Sequence, residues 1–207
     1  MRVIKSDACV AEGAEWLAKT HPEFAKILPL VRPLPLRLRP DGFGQLLNAI
    51  VSQQVSVASA RAISARLEMA GLLEEDAVAT ASEEALRACG LSRQKIRYAG
   101  ELARARIDYK ALRDAESETV VQTLIAVPGI GRWTAEIYAM FSLGHADVFA
   151  PNDLALQISA QHLFDLPERP KEKELRALSQ NWSPWRAVAA RALFAYYHHI
   201  KGREGLS

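Results

Sequence analysis

The sequence predicts an all-α fold. Apolar residues recur three and four positions apart through almost every segment, which is the spacing of one face of a helix. No segment shows the apolar–polar alternation typical of a half-buried strand. Four prolines between Pro29 and Pro40 exclude a helix interior, so this stretch is predicted to be an extended connector. The predicted helices are Ala8–Lys19, Pro22–Leu28, Gly42–Val55, Val57–Ala70, Ser82–Cys89, Arg93–Ile107, Ser117–Val127, Gly131–Leu143, Asn152–Phe164, Lys171–Asn181 and Pro184–Ile200.

The bulk composition limits the class of protein. A chain of 207 residues with 49% apolar residues can form one medium domain or two small lobes. The net charge of +2 is low for a nucleic-acid-binding protein, so any such contact has to come from a local patch or from backbone groups. Cys9 and Cys89 form no paired motif, and no signal peptide or membrane span is recognisable. We therefore expect a soluble, cytoplasmic protein.

The segment VPGIGRWTA at 127–135 interrupts two helical patterns. Pro128 cannot continue the first helix, and Gly129 and Gly131 allow a tight turn before the next one begins. The first amides of that second helix lack intrahelical partners, and glycines would allow a phosphate to approach them. Taken alone, the Pro-Gly-x-Gly pattern favours an anion-binding turn and an ordinary tight helix–helix turn about equally.

The complete hairpin string resembles the helix-hairpin-helix motif of the DNA glycosylase superfamily, and Asp153 in FAPNDLALQ follows at the distance of that superfamily's catalytic Asp. Three further segments resemble the family of 3-methyladenine DNA glycosylase II, in its compact form without the N-terminal β-domain. They are LLNAIVSQQVSVASARAISARL at 46–67, LRACGLSRQKIRYAGELA at 86–103 and NWSPWRAVAARALFAYY at 181–197. The resemblance extends from Gly42 to the C-terminus.

This resemblance implies a helix-hairpin-helix glycosylase (HhH-GPD) fold with two lobes and a DNA-binding cleft between them. The first lobe is expected at about 42–145, with the hairpin at 117–143. The second lobe is expected to combine 1–41 with 146–207. The partner implied is double-stranded damaged DNA, bound by a monomer.

The resemblance also implies the chemistry. Asp153 would be the catalytic carboxylate, although it could instead simply cap its helix; Asp147 is interpreted as structural. Bifunctional members have Lys where this chain has Trp133, so a monofunctional hydrolase is expected. An alkylated, cationic base would be attracted to aromatic rings, although rings at helical spacing are more often core residues. The candidate pocket residues are Trp133, Trp185, Tyr138, Trp182 and Phe43.

The DNA contacts are predicted from the same motifs. Gln53 and Gln54 in SQQVS align with the wedge loop, where Gln54 would fill the gap left by a flipped base; both could instead face solvent. The hairpin contacts would come from Pro128, Gly129, Ile130, Gly131, Arg132 and Thr134. Backbone carbonyls of Ile125, Val127 and Ile130 would hold a structural Na⁺ or K⁺. No catalytic cofactor is expected, and no iron–sulfur cluster, because the four C-terminal cysteines that it needs are missing.

The expected function is removal of alkylated bases in base excision repair. The resemblance puts 3-methyladenine first and leaves 7-methylguanine, 1-methyladenine and 3-methylcytosine unranked. One alternative is a glycosylase for oxidised or mismatched bases. Another is a non-catalytic hairpin module that only binds DNA.

Overall fold

The structure, a computed structural model, describes residues 1–204 and the side chains of residues 1–202. Its described part is helical, and Val3 and His145 form an isolated bridge rather than a strand. The α-helices are α1 Asp7–Thr20, α2 Pro22–Val31, α3 Phe43–Val51, α4 Val57–Met69, α5 Glu75–Thr80, α6 Glu83–Ala88, α7 Arg93–Arg104, α8 Tyr109–Asp114, α9 Ser117–Ile125, α10 Arg132–Phe141, α11 Leu154–Leu163, α12 Glu172–Ser179 and α13 Arg186–Glu204. The all-α prediction is confirmed. Among the described helices, none is both long and apolar enough to cross a membrane.

The chain forms two compact units. One, called here the hairpin unit, is Arg39–Tyr138; the other, called here the terminal unit, combines Met1–Leu38 with the chain from Ala139 onward. The division falls within α10, a few residues before position 145, where the sequence predicted the lobe boundary.

Several helix bounds differ from the predicted ones for local reasons. The helix predicted to reach Val55 ends at Val51, because residues 52–56 form a turn before Ser56 caps α4. The last long helix begins at Arg186 rather than at Pro184. Helices α5 and α8 were not predicted, because each has only six residues and so short a segment shows little of a helical period.

In the terminal unit, α13 packs against α1, α2 and α11. An aromatic cluster fills part of its core, in which the Trp182 ring contacts Phe24, Phe149 and Phe164. The connector is held by Arg191, whose guanidinium is fully buried and donates from Nε and Nη2 to the Leu36 carbonyl. Burial, and secondarily the charge of Arg37, lowers the Arg191 pKa to about 10. This cation fixes the connector through the Leu36 carbonyl.

In the hairpin unit, α7 lies at the centre and packs against α3, α5 and α6. Two side chains tie the ends of α3 to other helices. Lys95 Nζ on α7 donates to the Val51 carbonyl at 2.6 Å, and the Gly42 amide at the start of α3 donates to Tyr138 Oη on α10 at 2.7 Å. Both contacts satisfy backbone groups at helix ends that have no intrahelical partner. The two contacts therefore connect the C-terminal end of α3 to α7 and its N-terminal end to α10.

Candidate active site and DNA-binding hairpin

The turn between α9 and α10 forms as the sequence predicts. The Val127 amide donates to Leu124 O and the Ile130 amide donates to Val127 O, both at 3.1 Å. Gly129 has φ of 95°, which a side chain would disfavour. Ile130 is buried and anchors the turn, whereas Pro128 and Gly131 are exposed. The turn therefore presents exposed backbone at the N-terminal end of α10, where the helix dipole favours an anion.

The Arg132 side chain is engaged within the hairpin. Its Nη2 donates to Glu118 Oε2 at 2.7 Å, and its Nε donates to Glu136 Oε1 at 3.1 Å. Two carboxylates thus offset its charge, so a phosphate would have to compete with both for the guanidinium. Thr134, also predicted to contact DNA, is half-buried on the first turn of the same helix. At this end of α10, backbone amides are better placed than the Arg132 charge to bind an anion.

The segment Ser52–Ser56, called here the wedge loop, connects α3 to α4. Gln54 is exposed and has φ of 55°, a left-handed conformation that is uncommon for a residue with a side chain. Gln53 is half-buried, and its Nε2 donates to the Gly129 carbonyl at 2.8 Å. The interpretation of both glutamines as a solvent-facing pair is therefore wrong for Gln53. The structure brings the wedge loop and the hairpin turn into contact.

Asp153 is the N-cap residue of α11. Its Oδ1 accepts from the Ala155 amide at 2.9 Å and from the Leu156 amide at 3.3 Å, and its side chain is half-buried. The turn before it is held by the Gln157 side chain, which donates to Pro151 O at 2.9 Å. The helix-capping alternative therefore describes a real contact. It is compatible with catalysis, because the two amide contacts fix the carboxylate in orientation.

Asp147 has a structural environment. Its Oδ1 accepts from Arg186 Nε at 2.6 Å and its Oδ2 accepts from the Ser183 hydroxyl at 2.8 Å. Arg186 Nη2 also donates to the Asp147 carbonyl. The Asp147 carboxylate therefore connects the segment that follows α10 to the start of α13. This contact agrees with its interpretation as a structural residue.

The five predicted pocket rings lie in different environments. Trp133 is 42% exposed on the first turn of α10. Trp182 is 1% exposed and Trp185 is 2% exposed, and both lie in the core of the terminal unit. Phe43 and Tyr138 are buried in the hairpin unit, where the Tyr138 hydroxyl is used by the Gly42 amide. Of the five, Trp133 is the most exposed; the other four are buried, as core aromatics are.

Lys95 and Tyr98 had no assigned role in the sequence analysis, yet both contact the site. Lys95 holds the carbonyl that precedes the wedge loop, and the Tyr98 ring lies against Gly129. They stand in SRQKIRYAG, a stretch that the sequence analysis assigned to the family without assigning a role to any side chain. A lysine on the buried face of a predicted amphipathic helix was the available signal.

Residues 47–184 match the family model described as "HhH-GPD superfamily base excision DNA repair protein". The chain belongs to this superfamily. It is similar to DNA-3-methyladenine glycosylase 1 of Schizosaccharomyces pombe, with 30% identity over 80% of this chain and 76% of that protein. The family resemblance seen in the sequence is confirmed.

Solved structures of this superfamily give the same fold. A DNA-3-methyladenine glycosidase from Bacillus halodurans superposes with a TM-score of 0.81 at 32% identity, covering 98% of this chain and 95% of that one. The S. pombe 3-methyladenine DNA glycosylase Mag1, solved in complex with abasic DNA, superposes with a TM-score of 0.75 at 26% identity, covering 88% of this chain and 95% of that one.

Proposed function

We propose that this HhH-GPD protein is a monofunctional DNA glycosylase that removes alkylated bases, with 3-methyladenine as the principal substrate. The observation that carries the proposal is the Asp153 carboxylate, held at the N-terminus of α11 by two backbone amides in the superfamily's motif position. The relatives named as 3-methyladenine glycosylases support the substrate class. Candidates for a wider range are 7-methylguanine, 1-methyladenine and 3-methylcytosine.

The proposed reaction is hydrolysis of the N-glycosidic bond. The C1′–N bond breaks and its electron pair leaves with the base, which an alkylated cationic purine accepts without a general acid. The Asp153 carboxylate stabilises the positive charge that develops on the sugar and orients a water molecule. The water oxygen then bonds to C1′, and its proton passes through Asp153 to solvent. The products are a free base and an abasic site.

Trp133 is the proposed ring of the base pocket. Trp133 is 42% exposed on the first turn of α10, and aromatic rings attract cationic groups such as an alkylated base. A Trp at this position also supplies no amine for a Schiff base, so the abasic strand is left uncut. The expected absence of lyase activity is checked by incubation with abasic DNA and borohydride, which would trap a covalent complex if an amine attacked the sugar.

DNA binding is proposed to occur at the hairpin and at the wedge loop. A phosphate would accept from the first amides of α10, beside the exposed Gly131. Gln54 would enter the helix and occupy the space of the flipped nucleotide. The chain is proposed to act as a monomer on double-stranded DNA in the cytoplasm.

The hairpin carbonyls have suitable chemistry for a monovalent cation. Ile125 ends α9, so its carbonyl belongs to the helix-end groups that lack an intrahelical partner. The Val127 carbonyl accepts from the Ile130 amide and retains a second lone pair. Together with the Ile130 carbonyl these are neutral oxygen ligands of the kind that hold K⁺. The ion would be structural, and DNA affinity should fall when choline chloride replaces KCl at equal ionic strength.

The test is release of free 3-methyladenine from methylated duplex DNA by wild type and by Asp153→Asn. Asn is about as good an N-cap residue as Asp, so this substitution removes the charge and keeps the cap. The mutant should lose about a hundredfold to a thousandfold in rate, by analogy with removal of one electrostatic stabiliser. Its affinity for DNA that contains an abasic-site analogue should persist.

The matched control is Asp147→Asn. This carboxylate is engaged by Arg186 and Ser183, so its loss should reduce stability while base release continues. Full activity of Asp153→Asn would reduce Asp153 to a helix cap and refute the mechanism. A wild type that binds DNA and releases no alkylated base would instead favour a glycosylase for another lesion or a binding module.

A further inference from the structure

The wedge loop is anchored at its start and against the hairpin turn. Lys95 Nζ donates to the Val51 carbonyl at 2.6 Å, immediately before the loop begins. Gln53 Nε2 donates to the Gly129 carbonyl at 2.8 Å, within the turn between α9 and α10. Ser56 closes the loop by accepting from the Ser59 amide at 3.1 Å. Hydrogen bonds therefore hold the chain both before and after Gln54.

The same helix supports both anchored segments. Lys95 and Tyr98 stand three residues apart on α7, which places them on one face of that helix. Lys95 contacts the end of α3, whereas the Tyr98 ring lies against Gly129. A cavity of about 210 Å³ beside these contacts is lined by Gln53, Gln54, Lys95 and Tyr98, among others. The two segments thus share a common support, and the Gln53 amide bridges them directly.

The contact at Gly129 lies in the turn proposed to carry the phosphate site. Gly129 directly precedes Ile130 and the exposed Gly131, so a displacement of the Gly129 carbonyl would also displace the first amides of α10. Gln54 directly follows Gln53 and has a left-handed backbone that only a well-held loop keeps. Through the Gln53–Gly129 hydrogen bond, the position of the hairpin turn fixes the position of the residue at the tip of the wedge loop.

We propose that Gln53 is a positioning residue that transmits the placement of the hairpin on the DNA backbone to Gln54. This inference rests on the proposed function. Gln53 itself makes no contact with the reacting base; its amide locks the wedge loop to the hairpin turn. Phosphate binding and opening of the base stack then occur in one fixed geometry. Loss of the Gln53–Gly129 hydrogen bond leaves the binding of the hairpin to DNA unchanged but allows Gln54 to move relative to the hairpin.

The test compares Gln53→Met and Gln53→Glu with wild type. Met keeps the length of the side chain and removes the donor, whereas Glu places an acceptor against the Gly129 carbonyl. Each is measured in single-turnover release of 3-methyladenine from two duplexes, one with the lesion paired and one with it opposite an abasic-site analogue. The second lesion is already unpaired, so its release depends less on the wedge. The ratio of the paired rate to the unpaired rate is the readout.

The ratio should fall by about 2-fold to 10-fold for Gln53→Met, which corresponds to the loss of one hydrogen bond, and further for Gln53→Glu. A general structural defect would lower both rates in parallel and leave the ratio unchanged, and that result would overturn the proposal. Gln54→Ala is the reference for loss of the wedge side chain and should also lower the ratio.

A second measurement does not need base release. Duplex DNA with 2-aminopurine beside an abasic-site analogue is saturated with each protein, and the fluorescence increase on unstacking is recorded. Wild type should raise the fluorescence and Gln53→Met should raise it less at equal occupancy. An equal rise for both proteins would overturn the proposal. If wild type unstacks the probe yet releases no base, the proposed function is wrong. The positioning role of Gln53 is then still tested by the difference in fluorescence between wild type and Gln53→Met.

Discussion

The Gly129 backbone lies directly against the Tyr98 ring. A Cβ atom built at Gly129 would be 2.4 Å from Tyr98 Cγ and 2.8 Å from Tyr98 Cβ. Gly129 also has φ of 95°, so both its conformation and its surroundings exclude a side chain. Because the Gly129 carbonyl accepts from Gln53, this one glycine joins α7, the wedge loop and the hairpin turn. The contact explains which of the two hairpin glycines is needed for folding.

Gly129→Ala should therefore destabilise the protein. The strained conformation alone is worth about 1–3 kcal/mol, and the clash with the Tyr98 ring adds to it. The midpoint of urea unfolding should fall, with the slope unchanged. The double variant Gly129→Ala with Tyr98→Ala is the control: it removes the clash with the ring, keeps the 2.8 Å approach to the Cβ at position 98 and keeps the backbone strain, so it should recover only part of the loss. If the single variant Gly129→Ala had the same urea midpoint as wild type, the turn would have to tolerate another geometry.

Gly131→Ala, in contrast, should leave the stability of the fold unchanged and weaken DNA binding. No atom lies within 4 Å of a Cβ built there, so folding should tolerate the methyl group. The change in the free energy of unfolding should stay within about 0.5 kcal/mol. Affinity for abasic-analogue DNA should nevertheless fall about tenfold, or about 1.4 kcal/mol, because the methyl group would stand where a phosphate approaches the first amides of α10. Unchanged affinity by fluorescence anisotropy would move the phosphate site elsewhere.

Trp133→Ala should separate activity from stability. The ring is 42% exposed, so its loss should cost no more than about 1 kcal/mol of unfolding free energy. Release of 3-methyladenine should fall by at least about tenfold if the ring holds the cationic base, since a desolvated cation–π contact is worth about 2 kcal/mol. Trp133→Phe should recover part of the rate. A loss of stability without a loss of rate would assign this ring to the core.

Trp185→Ala should have the opposite effect to Trp133→Ala, with a loss of stability and no selective loss of activity. This ring is 2% exposed, the Arg2 guanidinium lies 4.5 Å from its centroid, and it packs against Gly13 so tightly that a Cβ there would be 2.7 Å away. Truncation should cost about 3–5 kcal/mol of unfolding free energy. Activity measured well below the unfolding temperature should fall only with the folded fraction. A selective loss of base release at full folding would return Trp185 to the pocket.

The sequence was sufficient for features that depend on neighbouring residues. The hairpin turn follows from Pro128 and Gly129, and the cap at α11 follows from Asp153 directly before an apolar run. These patterns are local, since each side chain acts on backbone within a few positions.

Contacts between distant segments were not predictable in the same way. Gln53 and Gly129 are 76 positions apart, and Lys95 and Val51 are 44 apart. Burial of aromatic rings was equally hidden, because Trp133 stands in the first turn of α10 and Trp185 directly precedes α13, yet the two differ in what packs around them. Helical spacing indicates which face of a helix a ring occupies, and packing against other helices decides whether that face is covered.

His145 lies in the core of the terminal unit and gives the fold a pH dependence of its own. The side chain is fully buried, and burial, reinforced by the positive charge of the Met1 amino group, lowers the His145 pKa from 6.5 to about 4. Between these two values the unfolded chain binds a proton that the folded protein does not. The folded state therefore loses stability as the pH falls from about 6.5 to about 4, by roughly 3 kcal/mol in total at 1.36 kcal/mol per unit.

His145→Gln should remove this acid-dependent loss, whatever its effect on stability at neutral pH. Urea midpoints measured from pH 7 to pH 4 should fall more steeply for wild type than for the variant. The exposed His162 supplies the control, because His162→Gln should keep the wild-type slope. Parallel slopes for wild type and His145→Gln would mean that His145 gains its proton inside the folded protein, so that the buried site admits the charge through a local rearrangement.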